Sequence, residues 1–285
     1  MPAYLNIAAV AKRTGIPADT LRKWEQRYGV LRPTRSGGGH RRYSDVDVGR
    51  VEWLKARLDE GYRISEAAAM LGGGSLEAPK TPAKLRDAIY DALLEPDLPR
   101  VRSLLDQAFA VQHISRTLTQ VIAPLLTRTG EGWASGELTV AQEHVLSAEV
   151  RARLDPLAIS SGSGVRGAAV LACAPGEQHE LGLLMLAALM RADGWRVVYL
   201  GGDTPVDGAV SMARHVDAVA LCISAAMPDR LGRLRDELRA ADLPHGVTVF
   251  LGGRGITERD ASKLGARWTN SDLDRALRDL RKVAR

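Results

Sequence analysis

The sequence predicts a multidomain chain of α and α/β class: a winged helix-turn-helix, then a four-helix bundle, then a doubly wound parallel sheet. Three observations predict it: all excess positive charge lies in the first quarter, the middle is helically periodic almost throughout, and strand-like runs alternate with helical stretches in the last third. The chain has 285 residues and a net charge of +5, room for two or three domains. Residues 1–75 hold 13 Lys+Arg against 8 Asp+Glu, whereas the other 210 residues hold 26 of each sign. A basic small domain on an otherwise neutral chain points to a polyanion, most often nucleic acid.

The first segment opens with "LNIAAVAKRTG", a short amphipathic helix stopped by Gly15. In "IPADTLRKWEQRYG", Asp19 reads as the N-cap, and Leu21, Trp24 and Tyr28 recur at helical spacing. Two short helices joined by a tight turn predict a helix-turn-helix, "LRPTRSGGGHRRYS" predicts a hairpin wing, and a longer helix follows over about 45–60. "GGGSLEAPKTP" (72–82) and "SSGSGVRG" (160–167) read as linkers. Four helical stretches lie between them, from "AKLRDAIYDALL" to "TVAQEHVLSAEVRARLDPLA", and short connections predict a bundle. Beyond the second linker, "AAVLACA", "RVVYLG", "AVALCIS" and "TVFLGG" are strands separated by helices. The expected domains are 1–75, 76–160 and 161–285.

Two groups of residues carry chemistry. On the second helix, Thr20, Arg22, Lys23 and Arg27 are spaced to meet DNA, with Arg able to fork onto guanine and Lys to reach phosphate. His40, Arg41, Arg42 and Tyr43 in the wing are placed to reach backbone or minor groove, whereas Trp24 reads as core. The second group is "CAPGEQHELG", a polar cluster between a buried strand and a buried helix. Doubly wound sheets bind ligands beyond the carboxyl ends of their strands, and this cluster lies there. Alone, a Glu-x-His pair such as Glu177-x-His179 is more often a helix-start cap than a ligand.

"LRKWEQRYG" and "GGGHRRYS" resemble the winged helix-turn-helix of MerR-type regulators over residues 4–71. The last segment resembles the cobalamin-binding domain of Rossmann-like (flavodoxin-like) fold, whose pattern is Asp-x-His-x-x-Gly, Ser-x-Leu and Gly-Gly. Glu177-x-His179-x-x-Gly182 supplies the first element with Glu for Asp, and Gly252-Gly253 the third; the second is imperfect, with Cys222 or Ser224 at the serine. The resemblance implies that His179 is the lower axial cobalt ligand, in the base-off/His-on state, with Glu177 orienting it. Gly182 would let the nucleotide tail approach the helix, Gly252-Gly253 would leave room for its base, and Asp203 is a further contact.

In the bundle, Trp133 is followed by nine residues and then Glu143-His144, which resembles the Trp-x9-Glu-His signature of CarH-type B12-dependent photoreceptor repressors. That family has the same domain order along essentially the whole chain. The resemblance implies that Trp133, Glu143 and His144 line the cavity over the upper face of adenosylcobalamin. It also implies a repressor that tetramerises on that cofactor in the dark, binds operator DNA and dissociates in light. Members carry a histidine after the tryptophan, which becomes the second axial ligand on illumination; here that position is Ala134. The alternatives are a cobalamin-sensing transcription factor without bis-histidine photochemistry and a corrinoid methyl carrier, against which the basic winged helix argues. No Ser-His-Asp or Cys-His nucleophile and no zinc spacing is visible, so a non-enzyme is expected. Cys173 and Cys222 in apolar runs fit reduced thiols, and with no run of about 18 apolar residues or secretory signal pattern a cytoplasmic protein with no membrane partner is expected.

Overall fold

The computed structural model describes residues 5–35, 39, 41–64, 67–68, 81–111, 114–159, 164–270 and 272–284. The chain divides into two compact units, Met1–Ile89 with Pro99–Gln112, and Tyr90–Leu98 with His113–Arg285.

The first unit begins with α1 (Ile7–Thr14), capped by the Asn6 side chain, which accepts from the Ala9 N–H, and closed by Gly15 at φ +74°. α2 (Ala18–Tyr28) starts two residues earlier than expected: Pro17 is the N-cap, and Asp19 lies inside the first turn. The correction has a simple cause. Proline's fixed φ suits the extended N-cap conformation that Pro17 adopts (φ −56°, ψ 141°), and an acidic residue inside the first turn still faces the positive end of the helix dipole. β1 (Thr34–Arg35) pairs antiparallel with β2 (Arg41–Arg42), forming the wing, and α3 (Asp45–Asp59) follows behind a Ser44/Asp47 capping box. Val10, Leu21, Trp24, Tyr43, Val48, Val51 and Leu54 form the core of this winged helix-turn-helix. Trp24 is core, as its spacing predicts. His40 and most of the first linker (72–80) lie outside the described residues.

The helical region consists of α4 (Pro82–Leu94), α5 (Leu98–Val111), α6 (Ile114–Thr117), a π-helical turn (Leu118–Ile122), α7 (Ala123–Ser135) and α8 (Val140–Ile159). The third predicted helix is thus continuous from 114 to 135 with a π turn inside it, a local widening with no signal in the apolar period. Within the second unit, Tyr90 organises the packing. Its hydroxyl donates to Glu137 at 2.6 Å, the Arg128 guanidinium covers its ring at 3.8 Å, and a Cβ on Gly132 would stand 2.3 Å from its oxygen. Gly132 therefore lets α7 approach that ring.

The sheet domain contains β3 (Ala168–Cys173), α9 (Leu181–Ala192), β4 (Arg196–Gly201), α10 (Val206–His215), β5 (Ala218–Ser224), α11 (Leu231–Ala240), β6 (Thr248–Gly252), α12 (Glu258–Lys263), β7 (Arg267–Thr269) and α13 (Leu273–Arg281). All pairings are parallel, in the order β4-β3-β5-β6-β7. That is the flavodoxin-like order, in which the strand sequence reverses between the first and third strands and opens a crevice there. β3 is buried along its whole length, which is why it reads as an unbroken apolar run. β7 was not predicted, because its three residues "RWT" form an edge strand with no apolar run. Residues 160–163 of the second linker lie outside the described residues; among the described ones, no helix is long and apolar enough to cross a membrane.

Candidate cofactor site and nucleic-acid interface

The 174–180 loop leaves β3 at the switch point, beside the end of β5. Glu177 lies in it with 1% exposure. Oε1 accepts from the His179 N–H at 2.8 Å and from the ring Nδ1 at 2.6 Å, while Oε2 accepts from the N–H groups of Ala226 and Met227 at 2.8 and 2.9 Å. Burial pushes this carboxyl up, but the His179 and Met227 N–H groups, the His179 ring and the Ala226 N–H together outweigh it and hold it down at about 2. An ionised carboxylate can only accept, so Nδ1 carries a ring proton, and the neutral ring has its lone pair on Nε2. The His179 side chain is 67% exposed, and among the described residues no partner occupies Nε2.

This is the arrangement a metal-ligating imidazole requires: one nitrogen held by a buried acceptor, the other free. No group of three or more His, Cys, Asp or Glu that would hold a metal ion occurs among the described residues. A metal held here therefore brings most of its own ligands, as a corrinoid does. The residues present fit that group.

Around His179 the glycines differ in what they leave room for. A Cβ on Gly182 would meet nothing within 4 Å, so the start of α9 is open. A Cβ on Gly252 would stand 2.4 Å from the Thr269 hydroxyl oxygen, and one on Gly253, at φ +96°, 2.3 Å from the Ala225 carbonyl oxygen. Close packing of the protein on itself already demands both residues. Asp203, at φ +43°, accepts from the Gly176 N–H at 2.6 Å and donates its own N–H to the Glu177 carbonyl at 2.8 Å. It braces the loop that bears Glu177.

The two alternatives at the second motif element separate. Ser224 ends β5 half-buried beside the crevice, whereas Cys222 is 3% exposed within the sheet and burial pushes its thiol up to about 12. As an accessible cofactor contact Cys222 is corrected: its side chain belongs to the strand's interior. Glu180, in the polar cluster, faces Arg151 of α8 and Tyr199 of β4.

On the bundle, Trp133 is 53% exposed in the last turn of α7, and Ala134 beside it is exposed. Glu143 and His144 start α8; Glu143 accepts from Ser147 Oγ at 2.6 Å and lies 3.6 Å from the His144 ring Nε2. None of their hydrogen bonds or ion pairs reaches the His179 loop among the described residues.

In the winged helix, Arg22, Lys23, Arg27, Arg41 and Arg42 are exposed and Thr20 is half-exposed. Arg22 pairs with Asp19 at 2.6 Å, and the Arg27 guanidinium lies 5.6 Å from the Tyr28 ring centre. Tyr43 is corrected as a DNA contact: it is fully buried, and its hydroxyl donates to Glu25 at 2.8 Å. Glu25 also accepts from Arg41 Nε at 2.9 Å, so one carboxylate of α2 ties down the second strand of the wing. Sequence reasoning missed Glu25, the Ala226 and Met227 N–H groups and the Arg151–Glu180–Tyr199 contacts. Their only signal was an acidic residue inside a basic helix and a polar residue beside a motif.

Three profiles match the chain: "MerR HTH family regulatory protein" over residues 5–73, and "B12 binding domain" twice, over 85–157 and 167–270. The chain is 38% identical over 277 residues to the HTH-type transcriptional repressor CarH of Myxococcus xanthus, covering 90% of each protein. It is 35% identical over 277 residues to the repressor CarA of the same organism, covering 94% of this chain and 93% of that one. Among solved structures, the monomethylamine corrinoid protein of Methanosarcina barkeri superposes at a TM-score of 0.57 with 20% identity, over 71% of this chain and all of that one, a likeness of fold alone.

Proposed function

The chain belongs to the family of the HTH-type transcriptional repressors CarH and CarA, and on that premise we propose that it represses transcription in answer to adenosylcobalamin and light. It is a B12-binding transcription regulator with a MerR-type DNA-binding domain. The observation that carries the finer reading is the His179 imidazole, exposed at the switch point with Nδ1 held by a buried carboxylate. In this reading the working segments are 1–75 for DNA, 76–160 for the upper face of the cofactor and 161–285 for its lower face and tail.

His179 would hold cobalt through Nε2, base-off/His-on, with Glu177 keeping the ring in the tautomer that leaves that nitrogen free. Gly182, Asp203, Ser224, Gly252 and Gly253 border the path of the nucleotide tail. Trp133, Glu143 and His144 close over the upper face, where a half-exposed tryptophan gains a partner. Adenosylcobalamin supplies the photolabile cobalt–carbon bond. The loaded chain would assemble in the dark, as a tetramer, with Thr20, Arg22, Lys23, Arg27, His40, Arg41 and Arg42 engaging operator DNA; Trp133 would hold the adenosyl side of the cofactor, and the assembly would come apart where that contact is lost in light. Ala134 has no donor atom, so α7 offers the metal no second nitrogen after illumination, and the chain keeps the corrinoid through one bond only.

One experiment tests this reading. Absorption spectra and sizing chromatography are recorded with adenosylcobalamin, in the dark and after green light. The expected result is a histidine-ligated spectrum, a larger dark assembly, and photolysis without a bis-histidine product. An unchanged spectrum on mixing, or identical elution in every state, overturns it. A cobalamin sensor that does not disassemble in light is the second reading, and Ala134 is the residue that favours it.

A further inference from the structure

Glu143, Ser147 and Arg151 follow one another at four-residue steps on α8, so they run along one side of the helix. Glu143 and Ser147 are joined by a 2.6 Å hydrogen bond. One turn on, Arg151 Nη1 lies 2.8 Å from Oε1 of Glu180, the residue next to His179. The other oxygen of the same carboxylate accepts from the Tyr199 hydroxyl at 2.8 Å. Burial, and then the bond to Glu180, pushes the Tyr199 phenol well up, so it stays a donor. A Cβ on Gly201 would stand 3.2 Å from that same oxygen, so glycine lets the end of β4 come close to the carboxylate. Both oxygens of Glu180 are thus used, one by the bundle helix and one by the sheet, and its side chain is 20% exposed.

We propose that Arg151 is a positioning residue that latches α8 to the His179 loop through Glu180 and Tyr199, fixing the height of the bundle above the cofactor's upper face. α8 packs on α9 and β4, but apolar packing alone is non-directional and tolerates sliding. A charge-assisted contact fixes one register, and this one joins the helix that carries Glu143 to the residue adjoining His179. An isolated, fully exposed ion pair would do little; this carboxylate is mostly enclosed and doubly bonded. The inference rests on the reading of His179 as the cobalt ligand.

The test compares Arg151→Met, Arg151→Lys, Tyr199→Phe and His179→Ala in the full chain. It measures release of adenosylcobalamin and of hydroxocobalamin, and hydrogen exchange over 177–182 in the cofactor-free protein. Arg151→Met is expected to speed adenosylcobalamin release roughly fivefold, to leave hydroxocobalamin release and the histidine-ligated spectrum unchanged, and to raise exchange in the loop. Arg151→Lys retains part of the effect. Should Arg151→Met fail to fold, Tyr199→Phe gives the same pattern at smaller size. Unchanged exchange, or equal acceleration for both corrinoids, overturns the latch. An unchanged spectrum in His179→Ala overturns the cobalt assignment instead, while loop exchange in the cofactor-free protein still decides the latch.

Discussion

Two carboxylates organise the two ligand-facing regions of this chain, and they work at different depths. Glu177 is 1% exposed and has four hydrogen bonds, two of them from His179 and two from a loop about fifty residues away in the chain. The Glu25 side chain is 15% exposed and holds two wing groups, Arg41 and Tyr43. The difference suits what each presents. Glu177 presents one imidazole nitrogen at one place, and it is enclosed and bonded through both of its oxygens. A DNA surface needs cations that adapt to a backbone, so only the base of the wing is tied and the arginine stays in solvent.

The largest effects are expected at the deeper carboxylate. His179→Ala should abolish the histidine-ligated spectrum and most cobalamin retention. Glu177→Ala should lower cobalamin affinity about 10–100-fold by freeing the ring. It should also destabilise the cofactor-free protein, since each buried N–H left without a partner costs about 1–3 kcal/mol. Equilibrium dialysis and thermal melting read the two effects. Full affinity in Glu177→Ala would break the comparison, because the carboxylate would then be a cap and nothing more.

The next effect concerns the exposed cations. Alanine at Arg22, Arg27, Arg41 and Arg42 together should abolish operator binding at physiological salt. Each single replacement at a phosphate contact should flatten the salt slope by about one unit. Unchanged affinity in the quadruple variant would remove the winged helix as the DNA surface.

Glu25→Gln sharpens the contrast further, because charge and anchoring predict opposite signs. Removing an acidic group from a basic face should strengthen binding to any DNA. Losing the anchor of Arg41 and the charged acceptor of Tyr43 should weaken operator binding, by roughly fivefold. The anchor is expected to win for operator DNA, with nonspecific binding unchanged or slightly stronger. A gain in operator affinity on titration with labelled duplex would show that the wing positions itself.

The smallest effect uses a third carboxylate of intermediate depth. Asp193 has a side chain 9% exposed and pairs with Arg281 at 2.6 Å and Arg166 at 3.1 Å. Burial pushes it up, but the Arg281 bond and charge, the Arg166 charge and Trp195 hold it below the usual carboxylate range. Its folded value lies below its unfolded one, so it contributes stability above about pH 4 that disappears as pH falls through the folded value. Asp193→Asn should therefore flatten the acid limb of a melting-temperature profile and leave cobalamin binding alone. An identical acid limb in parent and variant would show that the pair contributes nothing.

Much of this was legible in the sequence. The helix-turn-helix, the wing, four of five parallel strands and all four stretches of the bundle follow from apolar period, glycine stops and the placement of charge. The pairing of Glu177 with His179 was legible as well, because two residues of a tight loop cannot avoid each other. β7 was not, since three residues at an edge bury too little to leave a pattern. The exchange of Asp19 for Pro17 at the cap was missed because both types start helices, and a rank order of caps does not say which will be used.

What the sequence determined by itself is local: which segments form helix or strand, where charge accumulates, and which residue types stand at which spacing. What only the tertiary structure decided is enclosure and long-range partnership. Tyr43 and Cys222 have the chemistry of contact residues, yet packing puts both inside. Glu177 acquires its Ala226 and Met227 donors only because the strand order reverses and brings the ends of β3 and β5 side by side. Arg151 meets Glu180 only because α8 lies against that end of the sheet domain. Spacing along a chain governs contacts a few residues apart, whereas burial and pairing across tens of residues depend on which surfaces the whole fold brings together.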